Sequence, residues 1–338
     1  MEEKNVSKIL ILDFLAIGDL LFTTPLLKTL RHNYPQTEIA ISINKGLEQI
    51  LKYNPNIDKI IPFDKNGEHK GLNYLKYIKT LRDEKPDLTI TLQDNPRLSI
   101  LALFSGARKR VGFAKHIRKL FYTDPIQANH NQHRVDYYLD ITQKLNINGI
   151  INDGLEMYIS KKSKIWAKTY LNKITTERKT LIGLNIGGSW ETKLWPVEKF
   201  ANLADILLQK NYQVILLGGP GDITRENKIK AKMRHSPLSL VGKTSLNQLA
   251  AICEILDLVV SGDTGPLHMA VAMNTKTIAL FGPTEVWRYR PYEEKHIVIK
   301  GNLACQPCHK KTCPFDRVKC MDNIGVQQVY SIIEGELK

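Results

Sequence analysis

The chain has few features that would connect it with a membrane or an export route. Its 338 residues contain no apolar run of about 18 residues, the length that a membrane-spanning helix needs, so no transmembrane helix is expected. The start, MEEKNVSK, carries early acids, and the apolar stretch Ile9–Leu12 ends at Asp13. We interpret this stretch as a first β-strand rather than a signal peptide, and we therefore expect a cytoplasmic protein.

Patterns of several other protein classes are also missing. No repeat of about 20–50 residues occurs, which argues against a solenoid. No GxGxxG motif follows the first strand, so the dinucleotide fingerprint is absent there. The net charge of +14 attracts polyanions, but no recognisable RNA- or DNA-binding motif with interleaved aromatic residues accompanies it. Nucleic acid is therefore not an expected partner.

Cysteine is scarce but unevenly distributed. Four of the five cysteines follow a C-x2-C-x4-C-x6-C pattern: Cys305, Cys308, Cys313 and Cys320. Such clustering in a cytoplasmic chain favours metal or redox chemistry over a structural disulfide. The first pair matches a zinc knuckle, whereas the second pair is spaced too widely for a common zinc finger. Bound zinc, reduced thiols and a labile disulfide all remain open.

Acids are absent from one conspicuously basic segment, Ser105–Tyr122. It contains six basic residues and no acidic one, whereas solvated helices usually alternate the two signs. The segment is expected to face phosphorylated substrates or an anionic membrane surface. Its basic residues are Arg108, Lys109, Arg110, Lys115, Arg118 and Lys119.

The rest of the chain alternates strands and helices in two halves. Near-continuous apolar strands are typical of parallel sheets covered on both faces, so each half is predicted to be a doubly wound α/β domain. Ligands should bind at the carboxyl ends of the strands, in a cleft that the two domains share. The predicted boundaries are 1–160, 161–325 and a C-terminal helix, 326–338, that packs back on the N-terminal domain. The predicted strands are Ile9–Asp13, Glu38–Ile43, Lys59–Phe63, Leu88–Leu92, Leu181–Asn185, Val214–Leu217, Leu238–Val241, Leu258–Ser261 and Thr277–Phe281.

The stretch Val259–Thr284 is the most informative segment. An apolar strand ends in Ser-Gly-Asp-Thr-Gly and leads directly into a helix near Pro266, so backbone N–H groups and the positive end of the helix dipole converge there. This arrangement suits a diphosphate, and His268 lies one turn into the helix. Alternatively, Asp263 is an ordinary helix N-cap.

Other strand-to-helix turns carry polar residues that suit the same ligand. The NIGGSWETKLWP turn offers hydroxyls from Ser189 and Thr192 and a cation, Lys193, that suits a departing diphosphate. The turns that contain Glu226 and Thr244 suit a ribose and a purine, or are plain turns. In the first half, Asp19 is either a helix N-cap or a carboxylate that takes a proton from an attacking hydroxyl.

Together these segments resemble glycosyltransferase family nine, the ADP-heptose:lipopolysaccharide heptosyltransferases of the GT-B fold. The resemblance covers nearly the whole chain, and its most specific motif is SGDTGPLH. The other matching motifs are IGDLLFTTPLL, GGSWETKLWPVEKFANLA, LLGGPGD and the terminal cysteine block.

The resemblance also implies roles for individual residues. Asp19 matches the catalytic base, Lys193 a lysine that binds the donor phosphate, and Asp263 an aspartate that contacts the donor sugar. Further implied donor contacts are Thr244 at the adenine, Glu226 or Asp222 near the ribose, and Thr264, Gly265 and His268 around the diphosphate. Arg108, Arg110 and Arg118 are expected to bind the phosphorylated acceptor, because they lie in the half that binds it in the family.

The hypothesis is therefore an inverting glycosyltransferase that needs no cofactor and moves heptose from ADP-heptose to an inner-core lipopolysaccharide acceptor. Its expected partners are the nucleotide sugar and a phosphorylated lipid-linked oligosaccharide, with peripheral contact at the inner face of the cytoplasmic membrane. Two alternatives stand beside it. One is a transferase of the same fold that uses another nucleotide sugar for a different cell-surface glycan. The other is a metal- or nucleic-acid-binding protein.

Overall fold

The chain folds into two compact units. The computed structural model describes residues 6–337 except 146, 148 and 175–178. One unit extends to Tyr158 and the other starts at Ile159.

The first unit is built on six parallel strands in the order β3-β2-β1-β4-β5-β6. Burial of both faces of β1 explains its apolar sequence, since residues 9–13 are all fully buried. The strands are β1 (Lys8–Asp13), β2 (Glu38–Asn44), β3 (Lys59–Phe63), β4 (Leu88–Thr91), β5 (Lys109–Phe113) and β6 (Asp124–Ile126). The helices are α1 (Ile17–Phe22), α2 (Thr24–Asn33), α3 (Glu48–Leu51), α4 (Asn73–Asp83), α5 (Pro96–Phe104) and α6 (Arg134–Leu139), with 3-10 helices at His116–Phe121 and Asp140–Leu145.

The second unit repeats this plan in the order β12-β11-β10-β7-β8-β9. Its strands are β7 (Leu181–Asn185), β8 (Gln213–Leu217), β9 (Leu238–Ser239), β10 (Leu258–Gly262), β11 (Lys276–Phe281) and β12 (Ile297–Lys300). Its helices are α7 (Lys161–Ile174), α8 (Val197–Gln209), α9 (Ile223–Lys230), α10 (Leu246–Cys253), α11 (Gly265–Ala272), α12 (Val286–Tyr289), α13 (Lys319–Asp322) and α14 (Val326–Glu336), with 3-10 helices at Glu191–Lys193 and Pro220–Asp222.

Each sheet changes winding direction at one point. In the first unit the change lies between β1 and β4, and in the second it lies between β7 and β10. Loops that leave the carboxyl ends of such neighbouring strands separate to opposite faces of the sheet, which opens a crevice for ligands. The predicted fold class, a doubly wound parallel sheet in each half, is confirmed.

Some predicted elements differ from the structure. Strands β5, β6 and β12 were not among the predicted strands. Strand β5 starts with Lys109 and Arg110, and β6 has only three residues, so neither shows a long apolar run. The segment from Ile17 to Asn33 forms two helices, α1 and α2, which are divided at Thr23, two residues before Pro25. A proline there cannot donate the backbone hydrogen bond that a continuous helix needs.

The C-terminal helix belongs to the second unit. There α14 packs against α8. Its Val329 and Ile333 are fully buried in the same apolar core as Leu203 and Leu207 of α8. Within the residues that the structure describes, no helix is long and apolar enough to cross a membrane.

Substitution of Gly262, the last residue of β10, tests how closely the turn that carries Lys193 packs against this strand. A Cβ atom there would lie 2.4 Å from the carbonyl oxygen of Lys193. We expect Gly262→Ala to lower the free energy of unfolding by about 1–3 kcal/mol, because that backbone must move. Gly221→Ala is the matched control, since its Cβ would meet no described atom within 4 Å. Equal thermal midpoints for the two variants would contradict the close approach.

Candidate active site

A polar cluster lies at the winding reversal of the second unit, and Asp263 is its centre. Asp263 directly follows β10 and is 4% exposed. Its Oδ2 accepts hydrogen bonds from Lys193 Nζ at 2.7 Å and from Thr284 Oγ1 at 2.6 Å. Nε2 of His268 lies 3.4 Å from Oδ1. The N-cap residue of α11 is Thr264, so the alternative of Asp263 as an N-cap is wrong.

These contacts keep the buried carboxylate charged. Burial alone would raise the pKa of Asp263. The hydrogen bond from His268 and the positive charge of Lys193 outweigh burial and lower the pKa to about 2. Asp263 is therefore a fixed anion that orients Lys193 and His268, rather than a group that exchanges protons near neutrality.

Lys193 reaches this position because its own backbone packs against β10. The missing side chain of Gly262 makes room for the Lys193 carbonyl. The Lys193 ammonium, whose side chain is 17% exposed, also lies 4.9 Å from the centre of the Trp190 ring. An ammonium has three N–H donors and Asp263 uses one of them, so Lys193 can serve Asp263 and a phosphate oxygen together.

Asn185 connects the ends of β7 and β10. Its Nδ2 donates to Ser261 Oγ at 2.9 Å and to Thr264 Oγ1 at 3.0 Å. This places Thr264 and Gly265, the start of α11, directly beside the end of β7. Sequence reasoning assigned no role to Asn185 or Thr284. Asn185 ends β7 in the NIGGSWETKLWP turn, and Thr284 lies three residues after β11, at the end of the segment Val259–Thr284. Their positions at or near strand ends were the available signal.

The remaining predicted donor residues are not all brought to this cluster. Ser189 is exposed. Thr192 is buried and its hydroxyl donates to the carbonyl of Lys310, so we leave it out of the proposed donor site. Glu226 is 7% exposed and pairs with Lys230 at 2.5 Å. Thr244 lies directly before Ser245, the N-cap of α10.

Asp222 lies closer to the cluster's loops than Glu226. Its Oδ2 accepts from the backbone N–H of Gly219 at 2.8 Å. A Cβ on Gly187 would lie 2.0 Å from the same oxygen, so the glycine lets the carboxylate approach the loop after β7. Of the two residues considered for the ribose, Asp222, which ends the 3-10 helix after β8, thus approaches the loop after β7.

A second polar cluster lies at the winding reversal of the first unit. Asp19 lies in the first turn of α1, which starts after Ala16, so it is not the N-cap. Its Oδ1 is 3.3 Å from both Arg134 Nη2 and the Tyr138 hydroxyl. Arg134 and Tyr138 lie on α6, more than a hundred residues further along the chain, and no local pattern marks them as partners.

Asp13, at the end of β1, is the second carboxylate of this cluster. It is fully buried, and its Oδ1 accepts from Gln93 Nε2 at 2.8 Å and from the backbone N–H of Leu15 at 3.1 Å. Its Oδ2 has no hydrogen-bond partner among the described residues. Burial and the neighbouring Asp19 charge raise the pKa of Asp13 to about 7. Asp13 therefore gains or loses its proton near neutrality.

The structure separates the three arginines that were predicted to bind the acceptor. In the sheet register Arg110 pairs with Thr89 of β4, which pairs with Leu10 of β1. Leu10 lies three residues before Asp13. Arg108 lies further still toward the amino end, because it precedes Arg110 in the chain. At about 3.3 Å per residue, both lie toward the amino ends of the strands, away from Asp19. Arg110 also donates to the carbonyls of Phe121 and Ala107. The structure therefore places Arg108 and Arg110 apart from Arg118, and the acceptor role of all three stays a prediction.

Arg118 lies on the other side, in the 3-10 helix that follows the carboxyl end of β5. It forms a two-pronged ion pair with Asp94, at 2.7 and 2.9 Å. Asp94 follows β4, directly after Gln93, which contacts Asp13. Arg118 is thus the one arginine of the three that the sheet places at its carboxyl edge.

The cysteine segment supports the turns of the second unit. The backbone N–H groups of Cys308 and His309 both donate to the Pro283 carbonyl, one residue before Thr284. The clustered thiols are free and line one pocket, and burial raises the pKa of Cys320 to about 11. Within the described part of the chain, no group of three or more histidine, cysteine or acidic residues is arranged to hold a metal ion. The suggested zinc is unsupported for Cys305, Cys308, Cys313 and Cys320.

Comparison with known proteins gives a family match. A model of "Glycosyltransferase family 9 (heptosyltransferase)" matches residues 74–319. The chain belongs to glycosyltransferase family 9. It is a glycosyltransferase, and the resemblance inferred from its motifs is confirmed.

Individual relatives cover most of the chain. Lipopolysaccharide heptosyltransferase 3 of Escherichia coli K12 is 30% identical over 311 residues, 86% of this chain and 87% of that protein. The crystal structure of a family 9 glycosyltransferase from Veillonella parvula is 28% identical, with a TM-score of 0.87 over 99% of this chain and 98% of that one. The structure of E. coli ADP-heptose LPS heptosyltransferase II, 23% identical, has a TM-score of 0.79 over 98% of each chain. These neighbours share the GT-B fold.

Asp13 gives a test of the buried carboxylate pair. Because its native pKa is raised, the stability that its proton contributes is complete at acid pH and is lost as the pH rises through about 7. Asp13→Asn removes this titration and retains Oδ1 as an acceptor. Relative to the unsubstituted protein, its free energy of unfolding should rise by roughly 2–3 kcal/mol between about pH 5 and about pH 8.

Denaturant unfolding at both pH values measures this difference. Asp83→Asn, at an exposed acid on α4, is the matched control and should follow the unsubstituted protein at both pH values. Parallel pH profiles for Asp13→Asn and the unsubstituted protein would contradict the raised pKa.

Proposed function

We propose that this family 9 glycosyltransferase moves a heptose from ADP-heptose to an inner-core lipopolysaccharide acceptor, with inversion at the anomeric carbon. The observation that carries the proposal is the Lys193–Asp263–His268 cluster at the start of α11, in a chain that belongs to the heptosyltransferase family. The acceptor class comes from the names of the relatives, and the donor comes from the motif resemblance and the name of the E. coli fold neighbour.

The second unit is proposed to bind the donor. The diphosphate lies against the first backbone N–H groups of α11, where the helix dipole is positive, and against the Lys193 ammonium. As the bond to the sugar breaks, negative charge grows on the departing diphosphate, and these groups stabilise it without a metal ion. Asp263 holds Lys193 and His268 in place through the contacts described above and is proposed to contact the sugar. Thr244 and Asp222 are proposed at the adenine and the ribose.

The first unit is proposed to bind the phosphorylated lipid-linked acceptor, with Asp19 as the general base. The acceptor hydroxyl oxygen attacks the anomeric carbon from the side opposite ADP, and its proton passes to Asp19. The electron pair of the broken bond leaves with the β-phosphate oxygen. Arg134 and Tyr138 orient the Asp19 carboxylate, and Arg118 at the same sheet edge supplies a cation for acceptor phosphate. Peripheral contact with an anionic membrane would bring the enzyme to such an acceptor.

Asp19→Asn tests the base. We expect turnover to fall by about 10²–10⁴-fold, because the amide cannot accept the proton, while ADP affinity and the thermal midpoint stay unchanged. ADP release in the presence of ADP-heptose and a heptose-deficient core acceptor measures turnover. Asp83→Asn should keep normal turnover. Near-normal turnover in Asp19→Asn would remove Asp19 from the proposal and leave the donor assignment standing.

Lys193→Ala tests the donor site. The loss of a charge-assisted hydrogen bond to phosphate should weaken ADP binding by roughly 10–100-fold, as measured by calorimetry. Lys210→Ala, at an exposed lysine after α8, should bind ADP normally. Lys193→Arg should recover part of the affinity, which separates loss of the cation from unfolding around the unpaired Asp263. Unchanged affinity in Lys193→Ala would place Lys193 outside the donor site.

A panel of nucleotide sugars tests the identity of the donor. ADP-heptose at one hundred times its dissociation constant should stabilise the fold by about 2.7 kcal/mol, visible as a rise in the thermal midpoint. A larger rise with a different nucleotide sugar would favour a transferase of the same fold that acts on another cell-surface glycan.

A further inference from the structure

An unusual surface lies on the first unit, where α5 and the 3-10 helix His116–Phe121 pack against each other. Five large apolar side chains on these two short elements are exposed. We call this set the apolar face: Ile100 is 36% exposed, Leu103 38%, Phe104 50%, Ile117 72% and Leu120 78%.

The spacing of these residues along their helices places them on the solvent-facing sides of the two helices. On α5, residues 100, 103 and 104 are spaced by three and four, which is one face of an α-helix, while Leu98 and Leu101 on the opposite side are buried. Ile117 and Leu120 are three residues apart, one full turn of a 3-10 helix, and therefore lie one above the other. Beneath both elements lies one small core that contains Ala102, Ala114 and Tyr122. The apolar face is therefore not buried within its own unit.

The segment that carries the apolar face is basic in sequence. Residues 95–123 contain seven basic residues and no acidic residue. Lys115 and Lys119, which flank Ile117, are both exposed. Arg118 between them pairs with Asp94, and we do not count it among the charges of the apolar face.

Exposed aliphatic and aromatic side chains among lysines match the interfacial region of an anionic bilayer. Apolar side chains enter the boundary between headgroups and acyl chains, and lysines remain beside the anionic phosphates. A soluble protein partner of opposite charge would satisfy the lysines but would need a complementary apolar patch as well. Because residues 95–123 contain no acid, they attract anionic groups in general rather than one particular ligand. A surface of anionic lipid headgroups fits that kind of attraction.

We propose that the apolar face, with Lys115 and Lys119, docks the protein on an anionic phospholipid bilayer. The proposal deepens the membrane contact of the proposed function and rests on it. It identifies the side chains responsible, five of which are apolar. The membrane contact is shallow, made by side chains of two short elements that lie on the bilayer surface.

Vesicle flotation of the full chain tests the proposal. One set of vesicles is phosphatidylcholine alone, and the other mixes phosphatidylcholine with phosphatidylglycerol. The unsubstituted protein should float with the anionic vesicles and much less with the neutral ones. Ile117→Ser with Leu120→Ser should reduce binding to anionic vesicles roughly tenfold or more, because two apolar side chains no longer enter the interface. Lys115→Gln with Lys119→Gln should reduce it roughly tenfold at low salt and little at high salt.

Matched controls lie on α7 of the second unit. Ile165→Ser alters an isolated apolar side chain that is 65% exposed, and Lys161→Gln with Lys162→Gln removes two exposed lysines. Both controls should bind vesicles like the unsubstituted protein. Every variant should retain its thermal midpoint and its ADP affinity, so that a loss of vesicle binding is not a loss of folding.

Several results would overturn the proposal. They are equal binding to neutral and anionic vesicles, no binding by the unsubstituted protein, and unchanged binding by the Ile117/Leu120 variant. A dimer that this variant converts to a monomer, without vesicle binding, would instead make the face an interface between two copies. Vesicle binding needs neither donor nor acceptor, so its failure would leave the proposed transfer intact. Conversely, failure of the transfer assay would not remove the docking face.

Discussion

The geometry of the second unit depends on one buried carboxylate. Asp263 has almost no solvent access, so as an anion it needs compensating partners in the protein, and it finds them in three different segments of the chain. Lys193 comes from the turn after β7, His268 from α11 and Thr284 from the turn after β11. Their attraction to one charge draws these three segments together at the place where the sheet reverses its winding. A sheet without that charge would have the same strand order but no buried anion to orient the Lys193 ammonium.

The cysteine-rich segment supports the same turns from outside. Two backbone N–H groups from it bind the Pro283 carbonyl, Gln306 donates to the Gly282 carbonyl at 2.7 Å, and the Lys310 carbonyl accepts from Thr192. On the side of the cysteine-rich segment these bonds use backbone groups and the Gln306 amide, and they hold Thr284 and the turn that carries Lys193. The segment has a clear structural role that does not require its thiols to bind anything.

The first unit handles its charges differently. Asp19 is paired with a buried arginine that also stacks on two tyrosine rings, Tyr137 and Tyr138, with centroid distances of 4.6 and 4.5 Å. Asp13 lies within the electrostatic reach of both Asp19 and Arg134 but is deeper, and burial makes its charge costly. One carboxylate is thus partly exposed beside a cation, and the other is buried and holds its proton up to neutral pH.

Local sequence determined the two α/β sheets and the positions of several turns at their strand ends. Apolar runs separated by helical segments specified two parallel α/β sheets, because strands covered on both faces must be apolar throughout. The SGDTGPLH motif indicated the turn after β10, since residues that end a strand and start a helix are contiguous in the chain. Asp19, Lys193, Asp263 and His268 could be chosen for the same reason. Tertiary structure alone decided what these groups contact. Arg134 and Tyr138 reach Asp19 from α6, Thr192 faces Lys310, and β5 carries Arg108 and Arg110 toward the amino ends of the strands although Arg118 follows a few residues later. Such relations depend on strand order and register, which bring distant segments together and separate near ones, and no short stretch of sequence encodes them.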